Sequence, residues 1–338
     1  MVLPIRMYCK LVSSCTGKIL RNGVSWTKPE VILSQCNKRT YTTDTIWEEM
    51  GVAETPKLQG NYRKGQHFIH KVLGYRGVVI RSFTPEVFES SVLNSTLDSC
   101  RETIHAGSTV TGKPHKYYLA LVDRCDLDLA DFGSLFTGSK ILQLEGLDYV
   151  SHDEIFPYKD TNVKNPVEHV NLQDLLSFDL ESVQPHHLFK PEELIAKERK
   201  RLKLHLVYRE SAQNIKMSFM PVYLGEINEK LKCENVWRLI IRIENLGEEE
   251  LLIEKQDYRV SFVGPDSPLQ VRRVLFDKVF YHNSHIKPWL TKERPAIQFN
   301  NTIIDSNSSG EIWGTITFKS DKGSILDFKV PKISMESR

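Results

Sequence analysis

Few side chains able to do chemistry stand at spacings that would let them act together. His67 and His70 are three apart in a run of strand-forming residues, so they point to opposite faces and cannot chelate one metal ion. His282 and His285 fall in an irregular stretch with no third ligand in view. No GxSxG, HExxH, Walker A or paired-carboxylate pattern occurs, which removes the most direct signs of hydrolase or nucleotide chemistry. Of six cysteines, Cys100, Cys125 and Cys233 lie beyond the N-terminal segment, widely spaced and without CxxC. Free thiols are therefore expected, with neither a disulfide framework nor a zinc knuckle. Cys125, in Asp123-Arg124-Cys125-Asp126, is the expected accessible thiol; Arg124 favours its thiolate and the two aspartates oppose it, so it reads as an unreactive surface group.

Binding chemistry is better represented. Arg272 and Arg273 can each pair with a carboxylate or phosphate, although adjacent strand residues point to opposite faces. Lys197, Arg199, Lys200, Arg201 and Lys203 form a basic patch behind Pro191-Glu192-Glu193, which reads as a helix start with proline and acids in the first turn. No aromatic interleaves these bases for stacking on nucleobases, so a solvated helix face is expected rather than a nucleic-acid site. Trp313 belongs to Ser309–Phe318, whose alternation puts Ile312, Ile316 and Phe318 on one face and Trp313, Thr315, Thr317 and Lys319 on the other. Either Trp313 is an exposed anchor for a partner, or it is buried and the Ile312 face is outward. The usual burial of tryptophan slightly favours the second. Gly314, inside the same run, marks a bulge or a close approach of another backbone.

The elements that must position these residues are mostly strands. A chain of 338 residues has room for two domains with separate cores. Residues 1–43 hold seven of the 45 basic side chains and one of the 43 acidic ones, the composition of a mitochondrial transit peptide, with Arg39-Thr40-Tyr41 resembling a processing site cut after Tyr41. The remainder is mildly acidic and lacks the broad positive field of a non-specific nucleic-acid binder. No stretch approaches the roughly 20 apolar residues of a membrane-spanning helix, so a soluble protein is expected.

A first domain over residues 50–160 begins after a short helical lead-in at Thr45-Ile46-Trp47-Glu48, which has capping-box spacing. A hairpin follows across Gly65–Ile80, with Gly74 and Gly77 at the reversal. Further strands are expected at Lys116–Val122 and Leu147–Ile155, and residues 83–113 read as an insertion between strands. A linker over 161–204 has short helices near Asn171–Leu176 and Pro191–Lys197. Residues 205–336 then give six or more short strands, including the alternating sets Ile215, Met217, Phe219, Pro221, Tyr223 and Trp237, Leu239, Ile241, Ile243, as in an antiparallel sandwich.

Two stretches carry family resemblances. Gly65-Gln66, His70-Lys71, Gly74-Tyr75-Arg76-Gly77-Val78-Val79, then Tyr117-Tyr118 and Tyr149-Val150-Ser151, resemble the HspQ (YccV-like) domain, a small SH3-like barrel. Arg242-Ile243-Glu244-Asn245-Leu246-Gly247 and the Ser309–Phe318 run resemble the ApaG family of immunoglobulin/fibronectin-III-like β-sandwiches. In two places this chain departs from the ApaG pattern. Tyr258 stands where the family has a tryptophan, and Val271-Arg272-Arg273-Val274-Leu275 replaces a glycine-rich turn, followed by an apparent insertion to about Leu290. Bare backbone amides in such a turn can cradle phosphate, so its loss argues against a phosphate ligand.

The joint expectation is a mainly β protein in which an SH3-like barrel is joined by a helical linker to an ApaG-like sandwich. The order of modules resembles a family of polymerase-interacting adaptors. That resemblance implies a non-enzymatic protein of the mitochondrial matrix, with a nuclear pool also in view. It implies partners among AAA+ protease machinery, DNA polymerase subunits and their sliding clamp, in replication and damage tolerance. No cofactor is expected, and the chain reads as a monomer without a membrane role. The alternatives are a phosphate-ligand sensor or hydrolase and a direct nucleic-acid binder.

Overall fold

The computed structural model describes residues 31–35, 47–91, 112–129, 146–159, 202–229, 232–262, 270–276 and 289–337, and there every regular element apart from two short 3-10 turns is a β-strand. The expected linker helices, His282 and His285, and all of the basic patch but Lys203 lie outside the described residues. The chain divides into two units that do not follow chain order: 1–82, 116–132 and 144–187 form the first, while 83–115, 133–143 and 188–338 form the second.

In the first unit the strands are β1 (Val31–Gln35), β2 (Trp47–Ala53), β3 (His67–His70), β4 (Arg76–Phe83), β7 (Tyr117–Val122), β8 (Leu147–Ser151) and β9 (Ile155–Lys159); β5 (Glu86–Ser91) and β6 (Lys113–Pro114) belong to the second unit. They form one sheet in the order β1-β2-β9-β3-β4-β7-β8, whose end strands are not joined to each other, so the barrel is hydrogen-bonded as an open sheet. Phe68, Tyr75, Val79, Tyr118, Val122 and Val150 fill its core. The expected hairpin is β3–β4, but its two glycines do different work. Gly74, with φ of 78°, makes the reversal. Gly77 instead admits a close neighbour: a Cβ there would lie 2.9 Å from Phe68 Cζ and 3.0 Å from the Leu121 carbonyl oxygen.

The helical lead-in is corrected by the structure. Trp47 and Glu48 begin β2, which pairs with β1 and meets β9 at Val52↔Lys159 and Ala53↔Tyr158. A cap contributes about 1 kcal/mol, and a ladder to two neighbours outweighs so small a local preference.

Buried polar groups in this unit hold strands together. Tyr75 donates to Asp148 Oδ2 at 2.5 Å, and the Tyr149 amide donates to Asp148 Oδ1 at 2.8 Å. His70 Nδ1 accepts the amides of Val72 and Leu73 at 3.2 Å each, while Nε2 lies 3.5 Å from Glu154 Oε2. His67 is stacked on Tyr158 instead, so the two histidines are separated as their spacing required.

The second unit is the expected sandwich. One sheet runs β16-β12-β11-β10-β5-β6 and the other β14-β13-β17-β18, with β15 (Trp289–Leu290) on β13. The long strands are β10 (Leu206–Ala212), β11 (Ile215–Glu229), β12 (Lys232–Asn245), β13 (Leu251–Phe262), β14 (Gln270–Phe276), β16 (Ala296–Asp305), β17 (Ser309–Ser320) and β18 (Ile325–Glu336). Met217, Phe219, Trp237, Leu239, Ile241 and Ile243 of one sheet share a core with Tyr258, Val260, Ile312, Ile316 and Phe318 of the other, as the alternation predicts. Tyr258 is fully buried, and its hydroxyl donates to Gln256 Oε1 at 2.9 Å. At the Asn245-Leu246-Gly247 turn the Asn245 side chain accepts the Gly247 amide at 3.0 Å.

Two features of this unit carry into function. Gly314 opposes Tyr258 across β17 and β13, where a Cβ would press into the Asp257 carbonyl oxygen and lie 2.8 Å from Tyr258 Cα. Gly314→Ala should therefore cost about 1 to 3 kcal/mol in a denaturant titration; an unchanged midpoint would show that the sheet yields there at no cost.

The other feature is the segment read as an inter-strand insertion. Its strand β5 (Glu86–Ser91) runs parallel to β10, in register from Leu206↔Glu86 to Ser211↔Ser91. β6 (Lys113–Pro114) then pairs with β5. Phe88 stacks on Tyr208 with centroids 5.3 Å apart, and Val87 is buried. The expected boundaries at 50–160 and 205–336 would assign this strand to the first domain, whereas its hydrogen bonds lie in the second sheet.

Candidate protein-interaction surface

The sandwich has two faces turned away from its core, and they differ. On the six-stranded sheet the outward set Val207, Met220, Val222, Ile240, Arg242 and Gln298 is buried, each at 2 % exposure or less. Arg242 donates to Gln298 Oε1 through Nε at 2.9 Å and Nη2 at 2.7 Å. On the same face Thr302 and Ile304 of β16 are exposed. The outward face of β14-β13-β17-β18 is open.

Register builds the open face. Arg273 of β14 lies directly opposite Arg259 of β13, and Arg259 opposite Trp313 of β17. On the far side, Lys332 of β18 places Nζ 5.3 Å from the Trp313 ring centroid, within cation–π range. The next row is Asp257, Thr315, Lys329, and the one after it Lys255, Thr317, Asp327. Arg259, Lys319 and Lys329 are exposed, and the Arg273 and Lys332 side chains are 57 % and 53 % exposed. Acids are interspersed. Asp257 accepts Nε and Nη2 of Arg273, Asp327 accepts the Thr317 hydroxyl at 2.7 Å, and Glu311 lies 3.3 Å from Lys332 Nζ. The Arg273 hydrogen bond holds the Asp257 carboxyl below its ordinary range; burial opposes this, and the charges of Arg273, Lys255 and Arg259 reinforce it.

The structure thus resolves the choice at Trp313 against the slightly favoured burial. Ile312 is 2 % exposed and in the core, while Trp313 is half-buried on the outer face. The cause is the row Val260↔Ile312↔Ile333, which commits three aliphatic side chains inward, and the fully buried tryptophan of the core is Trp237. The arginine pair divides as adjacency required. Arg273 joins this face, whereas Arg272 opposes Val260 at the core-facing side of the edge and reaches the Ile304 carbonyl at 3.2 Å and Asp305 at 3.9 Å. The sequence reading missed Arg259, Lys329 and Lys332. The alternations Tyr258-Arg259-Val260 and Phe328-Lys329-Val330 mark the first two as outward, but only register shows that they flank Trp313.

The chain can now be set beside known proteins. No family model matches it. It is 31 % identical over 316 residues to polymerase delta-interacting protein 2 of Mus musculus, with 89 % of this chain and 83 % of that protein covered, and equally to the Homo sapiens protein. The chain belongs to the polymerase delta-interacting protein 2 family. Two solved structures are also similar to it. One is a Northeast Structural Genomics Consortium target, with 14 % identity, a TM-score of 0.30 and 36 % of this chain and 86 % of that one covered. The other is the putative ApaA protein from Bordetella pertussis, with 13 % identity, a TM-score of 0.27 and coverage of 36 % and 92 %.

In this member of the polymerase delta-interacting protein 2 family the remaining described site candidates belong to other parts of the chain. Cys125 is exposed on the 3-10 turn Arg124–Leu129 of the first unit, and its amide donates to Asp123 Oδ1 at 2.8 Å. The two aspartates beside it both answer Arg76, with Asp126 at 2.7 Å and Asp123 at 3.4 Å. Burial alone would lower the Arg76 pKa, but Asp126 and then Asp123 outweigh it and hold the guanidinium charged. Lys203 is exposed ahead of β10. Among the described residues no group of three or more histidine, cysteine, aspartate or glutamate side chains is placed to hold a metal ion.

Proposed function

We propose that this protein is an adaptor that acts by binding other proteins rather than by catalysis, with DNA polymerase delta assemblies as its first partners. The carrying observation is the open outer face of the sandwich, where a half-buried tryptophan is flanked across the strands by Arg259 and Lys332, tryptophan and arginine being enriched at binding hot spots. Family membership supports it, since the mouse and human relatives are named for interaction with polymerase delta. The ionisable groups buried elsewhere, Asp148 and Arg76 among them, are engaged in tying strands together. Purified polymerase delta should bind the full chain with a Kd of about 1 µM or tighter. Absence of binding to a chain shown folded by circular dichroism would end the polymerase reading.

AAA+ protease machinery and the sliding clamp are further partners in this proposal, and the mitochondrial matrix is the proposed compartment, on the strength of the basic, nearly acid-free residues 1–43. A reporter carrying that segment should enter the matrix and be shortened there. Uniform cytosolic signal without a shorter band would overturn the location. Cleavage after Tyr41 would remove β1 and leave β2 as the edge of the first sheet.

A further inference from the structure

We propose, resting on the adaptor role above, that the outer face of β14-β13-β17-β18 holds an acidic peptide segment of a partner protein, an apolar side chain lying on Trp313 with carboxylates on its two flanks. Arg273 and Arg259 receive one carboxylate and Lys332, with Lys329 beside it, the other.

Charge decides the chemistry. Six bases point outward here, Lys255, Arg259, Arg273, Lys319, Lys329 and Lys332, against Asp257, Glu311, Asp327 and Glu336. They are gathered on one face of a chain that is mildly acidic beyond residue 43. Arg259 and Arg273 stand directly opposite each other, a like-charge pairing that destabilises a sheet. Asp257, bonded to Arg273, relieves it only in part. An acidic ligand would turn that repulsion into two charge-assisted contacts.

Spacing decides the form of the ligand. From Arg273 on β14 to Lys332 on β18 there are three inter-strand gaps, about 14 Å. Residues i and i+4 of an extended peptide lie about 13 Å apart on the same side, with i+2 between them. An acidic, an apolar and an acidic residue at alternate positions therefore match the row Arg273, Arg259, Trp313, Lys332. A nucleic acid fits less well, because its evenly charged backbone would meet Asp257, Glu311 and Asp327, which spaced carboxylates can avoid. Among the described residues Trp313 is the one aromatic on this face to stack a base.

The test uses the full chain and a fluorescein-labelled peptide carrying two copies of Glu-Ser-Leu-Ser-Glu, its Gln-for-Glu counterpart, and a twelve-nucleotide oligothymidylate, each followed by anisotropy at about 50 and 300 mM salt. The acidic peptide should bind at least about tenfold tighter than the Gln peptide at low salt. Arg259→Glu should weaken it about tenfold or more, Arg259→Gln and Trp313→Ala should weaken it less, and Lys322→Glu, in the β17–β18 turn at the far end of those strands from Trp313, should leave it unchanged. Equal binding of the two peptides, or indifference to both Arg259 variants when circular dichroism shows them folded, overturns the proposal. Tighter oligothymidylate binding through the same residues replaces the peptide with nucleic acid. If these arms fail while polymerase delta still binds, the acidic-peptide face falls and the adaptor reading stands.

Discussion

Trp237→Ala should lower the stability of the protein by about 3 to 5 kcal/mol, whereas Trp313→Ala should cost no more than about 1 kcal/mol. Trp237 is 1 % exposed, between Tyr223 at 5.7 Å and Phe262 at 5.6 Å, and its removal leaves a cavity where the two sheets meet. Trp313 loses a surface contact with Lys332 and no core packing. Among the described residues the indole Nε1 of Trp237 is buried without a hydrogen-bond partner, so Trp237→Phe removes an unmet donor along with some volume and should cost less than alanine. Urea unfolding of the three variants provides the check. Equal losses for Trp237→Ala and Trp313→Ala would mean that Trp313 is structural, and its use as a contact residue would then lose its basis.

A sandwich prepared as residues 202–338 should be weaker than the same unit in the full chain by at least about 2 kcal/mol, and prone to self-association. It lacks β5, so the β10 backbone groups that pair with Glu86–Ser91 become an open edge, and Tyr208 loses the Phe88 ring. Supplying a peptide of residues 84–93 should raise the melting temperature as its concentration rises, as any ligand of the folded state does. A fragment that melts with the full chain and ignores the peptide would show β5 to be dispensable.

Legibility followed the range of the interactions. The alternating runs of β11, β12 and β17 and the β3–β4 hairpin were readable because their signals repeat every two residues, and Gly314 was readable as a close approach because a strand interior gives glycine few other uses. Trp47–Ala53 was misread because a capping pattern is local and the strand's partners are not. The place of β5 had no local mark: Glu86–Ser91 looks like any short polar strand, and its partner lies in another part of the chain. The candidate face was half legible. Trp313 and Arg273 stood out by type, while Arg259 and Lys332 gained meaning only once the strands were in register.

The β5–β10 ladder also sets an order of events during synthesis. Glu86 leaves the ribosome about 120 residues before its partner Leu206, a delay of roughly 6 to 24 s at ordinary elongation rates. Through that interval the strand has been made but the sheet that receives it has not, and a parallel pairing over so long a separation is slow to form by chance encounter. The nascent chain should therefore be a client of holding chaperones until β10 emerges. Mutations that quicken β10–β11 hairpin formation should shorten this dependence more than mutations that strengthen β5 itself.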